Sequence, residues 1–195
     1  MTPPSNTDDP YRWLEDVAGE RSLAWVRERN AASQAVLQAR PEYAPIKAAM
    51  LEVLNSKERI PAISRLGDHV YNLWQDEANQ RGLWRRTTLA EFAKPQPAWE
   101  TVLDLDALGA RENENWVWGG ASCFGPAYTR CMLGLSRGGA DARVLREFDL
   151  ASKQFVEGGF GLPEAKSDVD WVDADTLYVG TDFGPGSLKI GRAHV

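Results

Sequence analysis

The sequence predicts a mainly β fold: a partial β-propeller of about two and a half four-stranded antiparallel blades, preceded by an α-helical N-terminal segment. Three observations carry this. A strand, a glycine turn and a second strand run from Arg130 to Asp149: Cys131 to Ser136 is largely apolar, Arg137 to Asp141 tolerates positive φ, and Ala142 to Asp149 returns. The same unit occurs earlier, where Val70 to Asp76 returns through Leu83 to Leu89, and opens again at Thr176 to Asp182. Steps of 61 and 46 residues separate Val70, Cys131 and Leu177, and the second falls within the ~40 to 50 residues per blade of β-propellers.

Taken in order, residues 1–8 are polar and Pro-containing, the composition of a disordered arm. Residues 9–57 form the helical N-terminal segment. Its first part, Asp9 to Asp16, is aromatic and apolar without strand alternation or a long helical period, and reads as a segment that docks on something. From Glu20 to Ala39, Trp25, Arg29, Ala32 and Val36 recur at helical spacing, with Leu23, Val26 and Leu37 widening the stripe. A second helix follows Pro41. Pro45 suits its first turn, and Ile46, Ala49, Met50, Val53 and Leu54 share a face.

Near Ser56 to Arg59 the periodicity changes from helical to alternating, so residues 58–188 form the partial propeller. Blade one takes Ile60 to Arg65, His69 to Asp76, Leu83 to Leu89 and Trp99 to Leu103, with a surface turn at Ala93 to Pro97. Blade two takes Trp116 to Ala121, Cys131 to Ser136, Arg143 to Phe148 and Gln154 to Val156. Gly158 to Ser167 is too glycine-rich for a strand interior. Blade three opens at Asp170 to Val172, turns at Asp173 to Asp175 and runs to Asp182. Residues 189–195 lack strand alternation and match the in-frame translation of a common sequencing adapter, so a non-native tail is expected there.

Bulk properties narrow the function. At 195 residues, 43% apolar and 26% charged, the chain has the balance of an ordinary soluble domain. A net charge of -6 argues against nucleic-acid and anionic-membrane partners. The N-terminus has no basic and apolar leader pattern, so a cytoplasmic protein is expected. Cys123 and Cys131 are the only cysteines, and with no second C-x-x-C or His cluster both are expected as free thiols. No metal and no cofactor is expected.

Several residues imitate a site. Gly134 to Gly138 fits G-x-S-x-G, but Ser136 ends a strand that turns into another strand, and the only histidines are His69 and His194. Asp168, Asp170, Asp173 and Asp175 gather carboxylates at a spacing that fails the EF-hand loop. They read as turn and strand-end acceptors. Adjacent Glu15 and Asp16 face different ways, which suits docking better than acid-base work. His69 reads as a strand residue, and Arg81, Arg85 and Arg86 beside Trp84 as solvated strand and turn residues. No catalytic, cofactor-binding or metal residue is assigned.

An ordered series of segments resembles the prolyl oligopeptidase family of S9 serine peptidases. The series runs Asp9 to Asp16, Trp25-Val26 with Asn30, Arg81 to Thr87, Leu135 to Asp141, Arg146 to Asp149, Gly158 to Phe160, Leu162 to Ser167 and Asp175 to Gly184. The resemblance covers Asp9 to about Leu188. It implies an N-terminal strap that packs on a C-terminal α/β-hydrolase domain, and a seven-bladed propeller that restricts access to short peptides. The family's catalytic Ser, Asp and His come from that C-terminal domain, and no position here matches them. The expected function is therefore the N-terminal part of a prolyl-oligopeptidase-like serine peptidase acting on short peptides. The alternative is a non-enzymatic propeller that binds peptides or proteins.

Overall fold

Gly138 and Gly139 take φ of +65° and +85°, and this left-handed pair reverses the chain at the predicted glycine turn. The computed structural model that shows this describes residues 9–56, 58, 61–182 and 184. The expected arm (1–8), the expected tail (189–195) and the return strand of the last repeat lie outside the described residues. The chain divides into two compact units, Met1–Ser56 and Lys57–Val195.

In the first unit α1 spans Glu20–Gln38 and α2 spans Tyr43–Leu54. Pro45 sits in the first turn of α2, where backbone N–H groups have no intrahelical partner. The segment before α1 docks on α1 itself. A 3-10 turn at Arg12–Glu15 brings Trp13 edge-on to Trp25 at 6.1 Å, and the Ser22 hydroxyl donates to the Trp13 carbonyl at 3.0 Å. Ser22 is the buried residue of α1, while Leu23, Val26, Val36 and Leu37 of the apolar stripe stay exposed.

In the second unit blade one is an antiparallel meander of β1 (Ile63–Leu66), β2 (His69–Trp74), β3 (Leu83–Thr88) and β4 (Glu100–Asp104). Its β2–β3 turn closes on Asp76, which accepts from the backbone N–H of Ala78 and Asn79 and from the Trp74 indole. Blade two is β5 (Trp116–Cys123), β6 (Arg130–Arg137), β7 (Arg143–Asp149) and β8 (Gln154–Phe155). β10 (Asp168–Asp173) and β11 (Thr176–Gly180) pair antiparallel, as expected for the opening of blade three.

Three features depart from the sequence reading. Gly161–Ala165 is a strand, β9, paired with β7; of the glycines that argued against it, Gly158 and Gly159 occupy the preceding loop and Gly161 only opens the strand, and Pro163 is tolerated because β9 is an edge. Two short helices also appear: α3 (Leu89–Phe92) and α4 (Leu105–Glu112). The Asp104 carboxylate caps α4 by accepting from the Ala107 N–H, and Asn113 ends it at φ +54°. Leu105 and Leu108 are fully buried. They join Tyr71, Trp84, Leu133, Leu135 and Phe148 in one core that unites the two blades.

Candidate functional site

Between the β1–β2 turn and the β5–β6 loop lies a cavity of about 430 Å³, with Tyr71 and Arg86 beneath it and Pro126 to Thr129 along one side. Register places these two residues together, since Tyr71 of β2 pairs with Arg86 of β3. The Arg86 guanidinium donates through Nη1 to the Leu150 carbonyl at 3.2 Å and through Nε to Glu100. Glu100 also pairs with Lys153, in the turn after β7. Hydrogen bonds from Arg86 and then Lys153 hold its carboxyl down at about 2. A charged network thus links blade one to blade two beside the cavity.

The β5–β6 loop is closed at both ends by a disulfide between Cys123 and Cys131. The expectation of free thiols is corrected. The two residues are register partners on adjacent antiparallel strands, with Cα atoms 3.9 Å apart, a proximity that metal-site spacing rules do not examine.

The first unit carries a different surface. Tyr43, Ile46, Lys47, Met50, Leu51 and Leu54 follow the helical repeat along one face of α2 and line an almost wholly apolar groove of about 450 Å³. Met50, Leu51 and Leu54 are exposed.

The residues that imitated a catalytic site are not brought together as one. Ser136 is 4% exposed within β6, paired with Val117 of β5, and β6 turns into β7. His69 opens β2 half-buried, and His194 lies outside the described residues. Asp170 and Asp173 accept from the backbone N–H of Trp171 and Asp175, and Asp168 meets Arg143 at 3.5 Å. Among the described residues no group of three or more His, Cys, Asp or Glu could hold a metal ion. Nor is any described helix long and apolar enough to cross a membrane. Glu15 is 3.9 Å from Arg12 in an exposed pair. Arg85 lies between the rings of Trp74 and Trp99, 4.4 and 4.5 Å from their centroids, and donates to Asn72. Of the three arginines expected to be solvated, Arg81 is exposed, whereas Arg85 and Arg86 are half-buried, one in this stack and the other in the Glu100 network.

The sequence reading missed the disulfide and the Arg86–Glu100–Lys153 network. The signal for the first was two cysteines flanking a single hairpin loop. The second joins residues from three separate segments and left no local signal.

Comparison with known proteins gives consistent findings. The family model described as "Prolyl oligopeptidase, N-terminal beta-propeller domain" matches residues 1–188. An uncharacterized peptidase of Sinorhizobium fredii (strain NBRC 101917 / NGR234) is 40% identical over 193 residues, covering 97% of this chain and 26% of that protein. An uncharacterized peptidase of Rickettsia prowazekii (strain Madrid E) is 34% identical over 175 residues, covering 85% and 24%. The solved structure of a post-proline cleaving enzyme from Rickettsia typhi superposes with a TM-score of 0.78 at 32% identity, covering 89% of this chain and 26% of that one. The chain thus spans about a quarter of the length of the relatives it matches.

Proposed function

The chain belongs to the prolyl oligopeptidase family, as its N-terminal β-propeller domain, and we propose that it serves as the strap and substrate filter of a serine peptidase that hydrolyses short peptides after proline. The observation that carries this reading is the likeness to the post-proline cleaving enzyme, which extends over 89% of the chain. The apolar groove on α2 supports the strap role: its occupant would be the α/β-hydrolase domain, against which the groove would lose its exposed Met50 and Leu54 surface. The blades would act by excluding folded proteins from the catalytic centre.

Acyl transfer would be performed by the hydrolase domain. A serine attacks the scissile carbonyl, a histidine carries the proton, an aspartate orients the histidine, and an oxyanion hole holds the tetrahedral intermediate. We assign no residue of this chain to those steps. We also place the peptidase in the cytoplasm, without a nucleic-acid or membrane partner; cell fractionation checks the compartment.

The test is hydrolysis of a prolyl chromogenic peptide by the full-length protein and by the 195-residue chain. The expected result is turnover by the full-length protein, abolished by a serine-directed phosphonate, and none by the chain alone. Absence of turnover in the full-length protein would overturn the peptidase reading in favour of a binding propeller.

A further inference from the structure

The disulfide at the β5–β6 loop depends on a one-residue shift of register. Trp118 pairs with Leu135, but Ala121 pairs with Leu133, and the shift lets Cys123 meet Cys131; without it Cys123 would face Arg130. Gly119 and Gly120 make the shift possible. Gly120 has φ +104°, and a Cβ on Gly119 would lie 2.9 Å from the Gly134 carbonyl oxygen.

The segment enclosed between the cysteines has two backbone hydrogen bonds near its ends and one to the turn after β7, where the Leu150 N–H donates to the Thr129 carbonyl at 2.8 Å. The Phe124 N–H donates to the Arg130 carbonyl and the Tyr128 N–H to the Phe124 carbonyl, while Pro126, Ala127 and Thr129 are exposed. Yet it touches both neighbours. Its middle walls the cavity over Tyr71 and Arg86 of blade one. Its first ring, Phe124, packs 5.5 Å from Trp171 of β10, whose indole N–H donates to the Ser122 carbonyl at 3.0 Å.

We propose that the Cys123–Cys131 disulfide is a redox clip. When formed it orders the β5–β6 loop, and when reduced it frees that loop, opening the cavity and loosening the contact of blade two with β10. The reductant is a dithiol. Cys131 is fully buried and Cys123 half-buried, so the attacking thiolate reaches the Cys123 sulfur. A mixed disulfide forms there as the S–S bond breaks, and Cys131 leaves as a thiolate that takes up a proton. The second thiol of the reductant then attacks the mixed disulfide and releases Cys123, which is protonated in turn. Two electrons and two protons pass to the protein, and the reductant becomes a cyclic disulfide. Protein disulfides persist in oxidising compartments and are transient in reducing ones, so the clip follows the redox state of its surroundings. This proposal does not depend on peptidase activity.

The experiment is limited chymotrypsin digestion of the full-length protein, with and without dithiothreitol, following cleavage after Phe124 and Tyr128 by mass spectrometry. Alkylation under non-reducing conditions counts the thiols first. The expected result is a paired Cys123 and Cys131 in the oxidised protein, and cleavage in the loop faster on the order of ten-fold after reduction. Cys123→Ala/Cys131→Ala should give the fast rate in either condition. If that variant does not fold, Cys123→Ser, at the half-buried position, replaces it. Two free thiols after mild oxidation, or wild-type cleavage rates equal within about two-fold, would overturn the proposal.

Discussion

The indole of Trp84 in β3 lies 5.0 Å, centroid to centroid, from that of Trp118 in β5, so an aromatic stack joins the two blades. Tyr71 and Phe148 flank Trp84 at 5.3 and 6.1 Å, and Trp84 is 4% exposed. Trp84→Ala removes a ring that both blades share, and a loss of about 3–5 kcal/mol is expected from the transfer and cavity terms. Urea unfolding measures it. Trp84→Phe should lose less than half as much, and a loss below about 1 kcal/mol for Trp84→Ala would mean that the blades do not depend on this stack.

Glu100 gives the stability a pH dependence of defined sign. Its carboxyl is held at about 2, below its ordinary 4.5, first by Arg86 and then by Lys153. A depressed folded-state pKa contributes stability that is complete above the unfolded value and is lost as pH falls through the folded one, here between about 4.5 and 2. The side chain is 46% exposed, so solvent screens the effect and the contribution is modest. The stability gap between wild type and Glu100→Gln should narrow across that window. A gap independent of pH would show that the network contributes nothing through charge.

Glu147 ties the far edge of blade two. Buried at 3% exposure, it accepts from the Arg130 guanidinium at 3.2 Å and from the Phe160 N–H at 2.8 Å. Glu147→Ala leaves that N–H without its partner, at a cost of about 1–3 kcal/mol. Amide exchange should quicken in Gly161–Ala165 and stay unchanged in β10 and β11. Gly159→Ala should act in the same direction, because a Cβ there would lie 2.6 Å from the Glu147 Oε2.

Met50 discriminates between a surface that faces water and one that docks. It is 60% exposed. Met50→Asp should therefore change the stability of the 195-residue chain by no more than about 0.5 kcal/mol. In the full-length protein the same change should lower the melting temperature and, on the proposed function, the turnover of a prolyl peptide. Unchanged full-length behaviour would remove α2 from the docking surface.

Legibility from sequence followed the range of each interaction. Gly138 and Gly139 announced their turn because positive φ is a local demand, and the strands around them had the alternation that a half-buried sheet requires. Leu105 to Glu112 gave no such signal: eight residues containing Gly109 are too few for a convincing helical period. Tertiary contacts instead fix its position, since Asp106 accepts from the backbone N–H of Arg81 and Gly82. The cysteine pairing turned on a single-residue shift at Gly119 and Gly120, and a strand pattern does not disclose a shift of that size. The Arg86–Glu100–Lys153 network was out of reach because its members meet only after the blades stack.

β9 has a consequence for self-association. It pairs on one side with β7, and among the described residues no strand pairs with its other side, an edge of the kind on which a second chain can add a strand. Pro163 sits in the middle of this strand and has no N–H to offer. The shift of register between Arg143 and Leu145 also breaks the run of pairing into short pieces. A foreign strand therefore finds an interrupted template, and blade two can expose this edge without inviting strand-by-strand polymerisation.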